Sequence, residues 1–243
     1  PAVFLCMVLK VEKGRRNASF LCYNETYTRT GISPEQKENT MKKLNIAIVG
    51  YGRSGCDIHG AFLRSKDNDI CNVVAVVEYD PARAEAARKD FGCDTYSDYR
   101  ELFHRTDIDF VTNASYSNEH FPVALDLLNH GFNVLCEKPL CKSPEQVQQL
   151  MDAAKAHNCE LTIFHQYRYN DYYLEMKKLL DKKVLGDVKL VRARQNFFAR
   201  RYDWQTLLYR EGGAMRNNAA HTIEQIMDLA GSDELPEIHS RME

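Results

Sequence analysis

At 243 residues the chain is longer than one average domain and shorter than two comfortable ones. Its residues are 44% hydrophobic and 27% charged with a formal net charge of −2, which leaves ample apolar mass for a core and no basic footprint for nucleic acid. No apolar run approaches the roughly 18 residues a spanning helix needs, so no membrane partner is expected. The eight cysteines (Cys6, Cys22, Cys56, Cys71, Cys93, Cys136, Cys141 and Cys159) are scattered without a C-x-x-C pair. That pattern predicts no metal site and a reducing, cytoplasmic setting.

Residues 1–40 read as an extension, non-native or disordered. They open with Pro1, run through a short apolar patch and carry no periodicity, and Met41 is the expected natural start. From there the pattern is regular. Leu44 to Val49, Val73 to Val77, Asp109 to Asn113, Phe132 to Cys136 and Leu161 to Phe164 are short apolar runs of buried-strand length. Helices are expected between them at Cys56–Lys66, Pro81–Phe91, Glu119–His130 and Pro144–His157, the last with Ser143 as its cap and proline at its first turn. Strictly alternating strand and helix predict an α/β fold: a doubly wound parallel sheet of Rossmann type over 41–164. Over 165–243 the pattern changes to a helix at Asp171–Lys183, an alternating strand at Val188 to Phe198, a helix at Asn217–Ala230 and a partial strand near Ile238. This reads as a second α/β domain that is incomplete, because one strand and a fragment cannot cover a sheet face.

Gly50-Tyr51-Gly52-Arg53-Ser54-Gly55 is a G-x-G-x-x-G run set directly between the first strand and the first helix. Its glycines permit the turn, the approach of a pyrophosphate and close helix–strand packing, and the helix N-terminus supplies free N–H groups. Glu78, 23 residues after Gly55, ends the second strand, where a carboxylate accepts from the ribose hydroxyls of NAD. Arg53 and Ser54 stand beside the phosphates, and Arg53 leaves NADP open.

Glu137-Lys138-Pro139 after the fifth strand resembles the E-K-P signature of the Gfo/Idh/MocA oxidoreductases, the family of glucose–fructose oxidoreductase and inositol dehydrogenase. Ser115 to His120 is similar to the family's loop after the fourth strand, with Tyr116 where proline is common. Gln166-Tyr167-Arg168-Tyr169, Gly212-Gly213-Ala214 and His221 are similar to further family segments. The resemblance runs from Leu44 to the C-terminus. It implies an open, mostly antiparallel sheet in the second domain, C-terminal truncation, and a dimer or tetramer for the full-length form.

The resemblance also implies roles. Lys138 sits by the substrate hydroxyl and the nicotinamide, Glu137 organises the nicotinamide ribose, and Ser115 and His120 belong to the cofactor loop. Asn217 and His221, four apart and so on one face of a helix, match an aspartate and a histidine of the polyol dehydrogenases. Asparagine cannot titrate, which alters the usual proton relay. Arg168, Tyr169 and Trp204, with Tyr167 and Tyr202, are expected to line a carbohydrate or polyol site, whereas His59 and His165 read as ordinary. The expected reaction is NAD(P)-dependent hydride transfer from a sugar, cyclic polyol or related secondary alcohol. The alternatives are a glycoside hydrolase that uses NAD transiently and a non-catalytic dinucleotide-binding regulator.

Overall fold

A central sheet of six parallel strands organises the chain, in the order β3-β2-β1-β4-β5-β6. In sequence these are β1 (Leu44–Val49), β2 (Cys71–Val77), β3 (Asp94–Tyr96), β4 (Phe110–Asn113), β5 (Val134–Cys136) and β6 (Leu161–Ile163). The computed structural model describes residues 43–195, 198, 200–231, 237–239 and 241. The expected extension and its Met41 start lie outside the described residues.

The helical crossovers are Arg53–His59 continuing as α1 (Gly60–Leu63), α2 (Pro81–Phe91), α3 (His120–Asn129) and α4 (Pro144–Ala156). Each strand alternates its side chains between two faces, and both faces are covered. Ala47, Val49, Val111, Val134 and Cys136 pack with Leu127 and Leu128 of α3 and Leu150 and Ala153 of α4. Ile46, Ile48, Val76, Phe110 and Leu135 pack on the other face with Tyr51, Ala87 and Phe164. The β1–β2 register shifts between Ile46 and Ala47, so Val74 is an extra residue that lets Val73 and Val76 share a face.

Caps fix the helix starts. Asp80 accepts from the N–H groups of Ala82 and Arg83 ahead of Pro81, and Ser143 accepts from Gln146 N–H at 3.4 Å ahead of Pro144. Gly92, in the left-handed region at φ 63°, ends α2.

Several expectations need correction. The first helix starts at Arg53 rather than Cys56 and ends at Leu63 rather than Lys66, and its opening turn is π-type, with Gly60 N–H bonded to Gly55 O. Strand β3, only three residues long and polar, carried no apolar run to betray it. Beyond β6 the described residues form α5 (Asp171–Asp181), α6 (Ala214–Asn217), α7 (Ala219–Ala230), the 3₁₀ turns Gln166–Tyr169, Trp204–Thr206 and Leu208–Arg210, and irregular chain. The predicted strand at Val188 to Phe198 is not formed over its described residues, and neither is the one near Ile238. An extended segment becomes a strand only where a neighbour meets its N–H and C=O groups, and no described segment does so here. The expected helix from Asn217 is broken at Asn218 into α6 and α7, and Asn217 N–H bonds Gly213 O in the shorter one.

The downstream chain is tied to the parallel-sheet unit. Lys142 pairs with buried Glu211 at 2.8 Å and Arg210 pairs with Glu119 at 3.2 Å. The Arg210 guanidinium lies 4.3 Å over the Tyr116 ring, and Trp204 meets the same ring edge-on at 5.2 Å.

Candidate active site

In a doubly wound sheet the ligand crevice lies beyond the carboxyl ends of the strands, where the strand order reverses. Here the reversal falls between β1 and β4. A cleft of about 590 Å³ opens there, walled by the ends of β1, β2, β4 and β5, by the turn after β6 and by the segment 201–221.

The Gly50 loop forms one end. Gly50 has φ +90°, and a Cβ on it would meet Ala114 O at 2.6 Å; one on Gly55 would meet Gly50 O at 1.9 Å. At Gly52 the nearest atom would be 3.9 Å away, so backbone is open to an approaching ligand. Arg53 is exposed on the cleft wall. Ser54 turns its hydroxyl onto Glu137 Oε1, so that group is committed to the protein.

Glu78 is buried at the end of β2. Its Oε2 accepts from Tyr51 N–H at 2.9 Å, and its Oε1 accepts from Asp80 N–H at 3.0 Å and from Arg83 at 3.2 Å. The carboxylate therefore pins the glycine loop while facing the cleft. Ser115, also on the wall, donates to Asn113 Oδ1 at 2.7 Å. His120 is locked between two carbonyls, with Nδ1 2.7 Å from Pro139 O and Nε2 3.2 Å from Ser115 O. Burial holds its pKa below the ordinary histidine value, against the two carbonyls, which favour the charged ring. Structurally it anchors two cleft loops to each other.

Away from the glycine loop the cleft gathers Lys138, Asn217 and His221. Lys138 Nζ donates to Asn217 O at 2.6 Å and to Asn217 Oδ1 at 3.0 Å, and Asn217 Nδ2 donates to Gln205 Oε1 at 2.8 Å. Burial lowers the pKa of Lys138; Glu137 opposes this while Arg53 and Arg201 add to it. His221 is pushed down to about 4 by burial first, then by Lys138 and His165. Its ring stacks on Tyr167 at 4.1 Å, and its buried Nδ1 has no hydrogen-bond partner. Glu137 is buried too. Burial alone would raise its pKa, but His59, Ser54 and Lys138 hold it down to about 2.

The residues expected on the substrate side are placed differently from one another. Trp204 and Tyr167 line the cleft. Arg168 and Tyr169 do not: the 3₁₀ turn Gln166–Tyr169 presents Gln166 and Tyr167 inward and turns Arg168 onto Glu224 and Asp228 of α7. Tyr202 is 88% exposed and off the wall. Sequence reasoning missed Gln166, Arg201, Gln205 and Asn218, which do line it, and missed His59, buried against Glu137. Gln166 opens the quoted Gln166–Tyr169 segment without having been given a role there, no short motif marks the others, and the partner of His59 lies 78 positions away. Among the described residues no cluster of metal-binding side chains occurs, and no helix is long and apolar enough to cross a membrane.

Residues 44–165 match the model of an oxidoreductase family with an NAD-binding Rossmann fold, GFO_IDH_MocA. The chain belongs to that family. Among its relatives are a trans-1,2-dihydrobenzene-1,2-diol dehydrogenase of Xenopus tropicalis, 32% identical over 68% of this chain and 50% of that protein. Another is scyllo-inositol 2-dehydrogenase (NADP(+)) IolW of Bacillus subtilis, 24% identical over 83% of this chain and 55% of that protein. A solved scyllo-inositol dehydrogenase from Lactobacillus casei, with bound NAD(H) and scyllo-inositol, superposes with TM-score 0.55 at 29% identity. That likeness covers 60% of this chain and 43% of the L. casei chain. The chain thus spans about half the length of the curated relatives it matches.

Proposed function

We propose that this chain belongs to an NAD(P)-dependent oxidoreductase that moves hydride between nicotinamide and a secondary alcohol of a cyclic polyol, a sugar or a related diol. The observation that carries the reading is the meeting of Lys138 and His221 in the same cleft as the Gly50 loop. The glycine cradle and Glu78 would hold the dinucleotide, which when bound supplies the hydride acceptor. Lys138, its neutral form favoured by burial, takes the proton of the substrate hydroxyl. Asn217 orients the amine through two acceptors but cannot relay a proton as an aspartate would. His221, held neutral, presents a second acceptor on the same wall. Relatives named for scyllo-inositol and for a dihydrobenzene diol support a ring bearing neighbouring hydroxyls as substrate. Among the described residues the free thiols of Cys56, Cys93, Cys136, Cys141 and Cys159 support a reducing, cytoplasmic setting, and a dimer or tetramer is the proposed full-length assembly.

The test is NADH or NADPH formation across inositols, sugars, sugar acids and cyclic diols, with cofactor binding titrated separately. Turnover on one class, lowered at least about a thousandfold by Lys138→Ala while the dissociation constant of the cofactor moves little, is the expected result. A Lys138→Ala protein of unchanged activity would sink the assignment. Asn217 favours one second reading, a dinucleotide-binding regulator, which predicts binding with no turnover on any compound.

A further inference from the structure

His59 closes the widened turn Arg53–His59, and its ring is buried, 8% exposed. The ring centroid lies 4.4 Å from that of Phe164. Its Nε2 is 3.1 Å from Glu137 Oε1, the oxygen that also accepts from Ser54 Oγ. The other oxygen of Glu137 accepts from the backbone N–H of Lys138 at 3.3 Å. A carboxylate only accepts, so Nε2 carries the proton in this contact. Such a charge, removed from water, persists only where its oxygens are satisfied. Nothing in the proposed reaction uses the histidine directly.

We infer that His59 is a positioning residue for Lys138: through Oε1 it fixes the carboxylate of Glu137, whose other oxygen holds the Lys138 backbone and whose charge faces the Lys138 amine. This rests on the reading of Lys138 as the proton carrier. The coupling follows from the surroundings. Burial drives Glu137 toward its neutral form, and His59 is the leading influence against it, ahead of Ser54 and Lys138. The anion so preserved opposes burial, Arg53 and Arg201 in their effect on Lys138. His120, His165 and His221, which face the pair from the start of α3, the turn after β6 and α7, are each pushed toward neutrality by burial. Without His59 the carboxylate is no longer fixed at Oε1, its charge is free to move away from the amine, and Lys138 then releases its proton at lower pH.

His59→Leu removes the donor and His59→Gln restores one. The first readout is the pH dependence of Lys138 acylation by acetic anhydride in the full chain, followed by peptide mass spectrometry; it needs no turnover. In His59→Leu the labelling midpoint falls by about half to one pH unit, and His59→Gln returns most of it. Where a substrate is in hand, kcat/KM for alcohol oxidation drops about 10- to 100-fold in His59→Leu, with cofactor affinity within about threefold. An unchanged midpoint in a His59→Leu protein that melts and binds NADH as the parent does would overturn the inference. So would identical behaviour of the leucine and glutamine variants. Should His59→Leu not fold, Glu137→Gln reaches the same charge from its other side; it must lower the midpoint, and an unaltered one is equally fatal. A shifted midpoint in a protein that turns over nothing would overturn the proposed reaction and support the coupling.

Discussion

Asn217 accepts from Lys138 Nζ through both its backbone and its side-chain oxygen, while its amide nitrogen donates to Gln205. An amide there leaves the ammonium without a counter-charge on that side. Asn217→Asp supplies one at hydrogen-bond distance, which favours the protonated amine and raises the pKa of Lys138. Alcohol oxidation needs the neutral amine, so the rising limb of kcat/KM should move about one unit to higher pH; a pH series on the purified variant measures it. A limb that stays put or moves to lower pH would remove Lys138 from the proton path. Residues such as Lys138 and Gly50 were legible in the sequence because a local pattern, three residues of E-K-P or a glycine-rich turn, sets their position. Arg168 and Tyr169 were misplaced because motif order does not say which way a 3₁₀ turn faces. His59 was passed over because its partner lies 78 positions away.

The sequence signals for the elements were strongest where apolar runs and caps coincided, at β1, α2 and α4. They failed at β3, whose three polar residues pair on only one side, with β2. They failed again over the described residues of Val188–Phe198, where alternation was present and no described segment pairs with it. Two substitutions examine what holds the elements. Gly50→Ala must accommodate both a φ of +90° and a carbonyl oxygen 2.6 Å from its new methyl. A loss of about 2–4 kcal/mol is expected, read by chemical denaturation, with dinucleotide binding abolished. Ser143→Ala removes the side-chain acceptor at the start of α4 and should lower stability by about 1 kcal/mol without touching cofactor affinity.

Across the whole molecule, several acid-sensitive groups sit in one place. His221 is held down to about 4 and Glu137 to about 2, both below their ordinary values of 6.5 and 4.5. In each case the unfolded chain binds more protons in the intervening range, so the stability these groups supply is present above the ordinary value. It is lost as pH falls, from 6.5 toward 4 for the histidine and from 4.5 toward 2 for the glutamate. The melting temperature should therefore decline from about pH 6.5 downward, and His221→Gln should flatten the first part of that decline. Calorimetry from pH 7 to pH 4 checks it; parallel curves for the two proteins would show that His221 carries no such linkage.

The hydrogen bond from Lys138 to the Asn217 side chain joins positions 79 residues apart. During synthesis the sheet, the glycine cradle and Lys138 all leave the ribosome before Asn217 and His221 exist. On the proposed function, the cradle and the proton carrier are therefore already present in the growing chain before the residue that orients the amine.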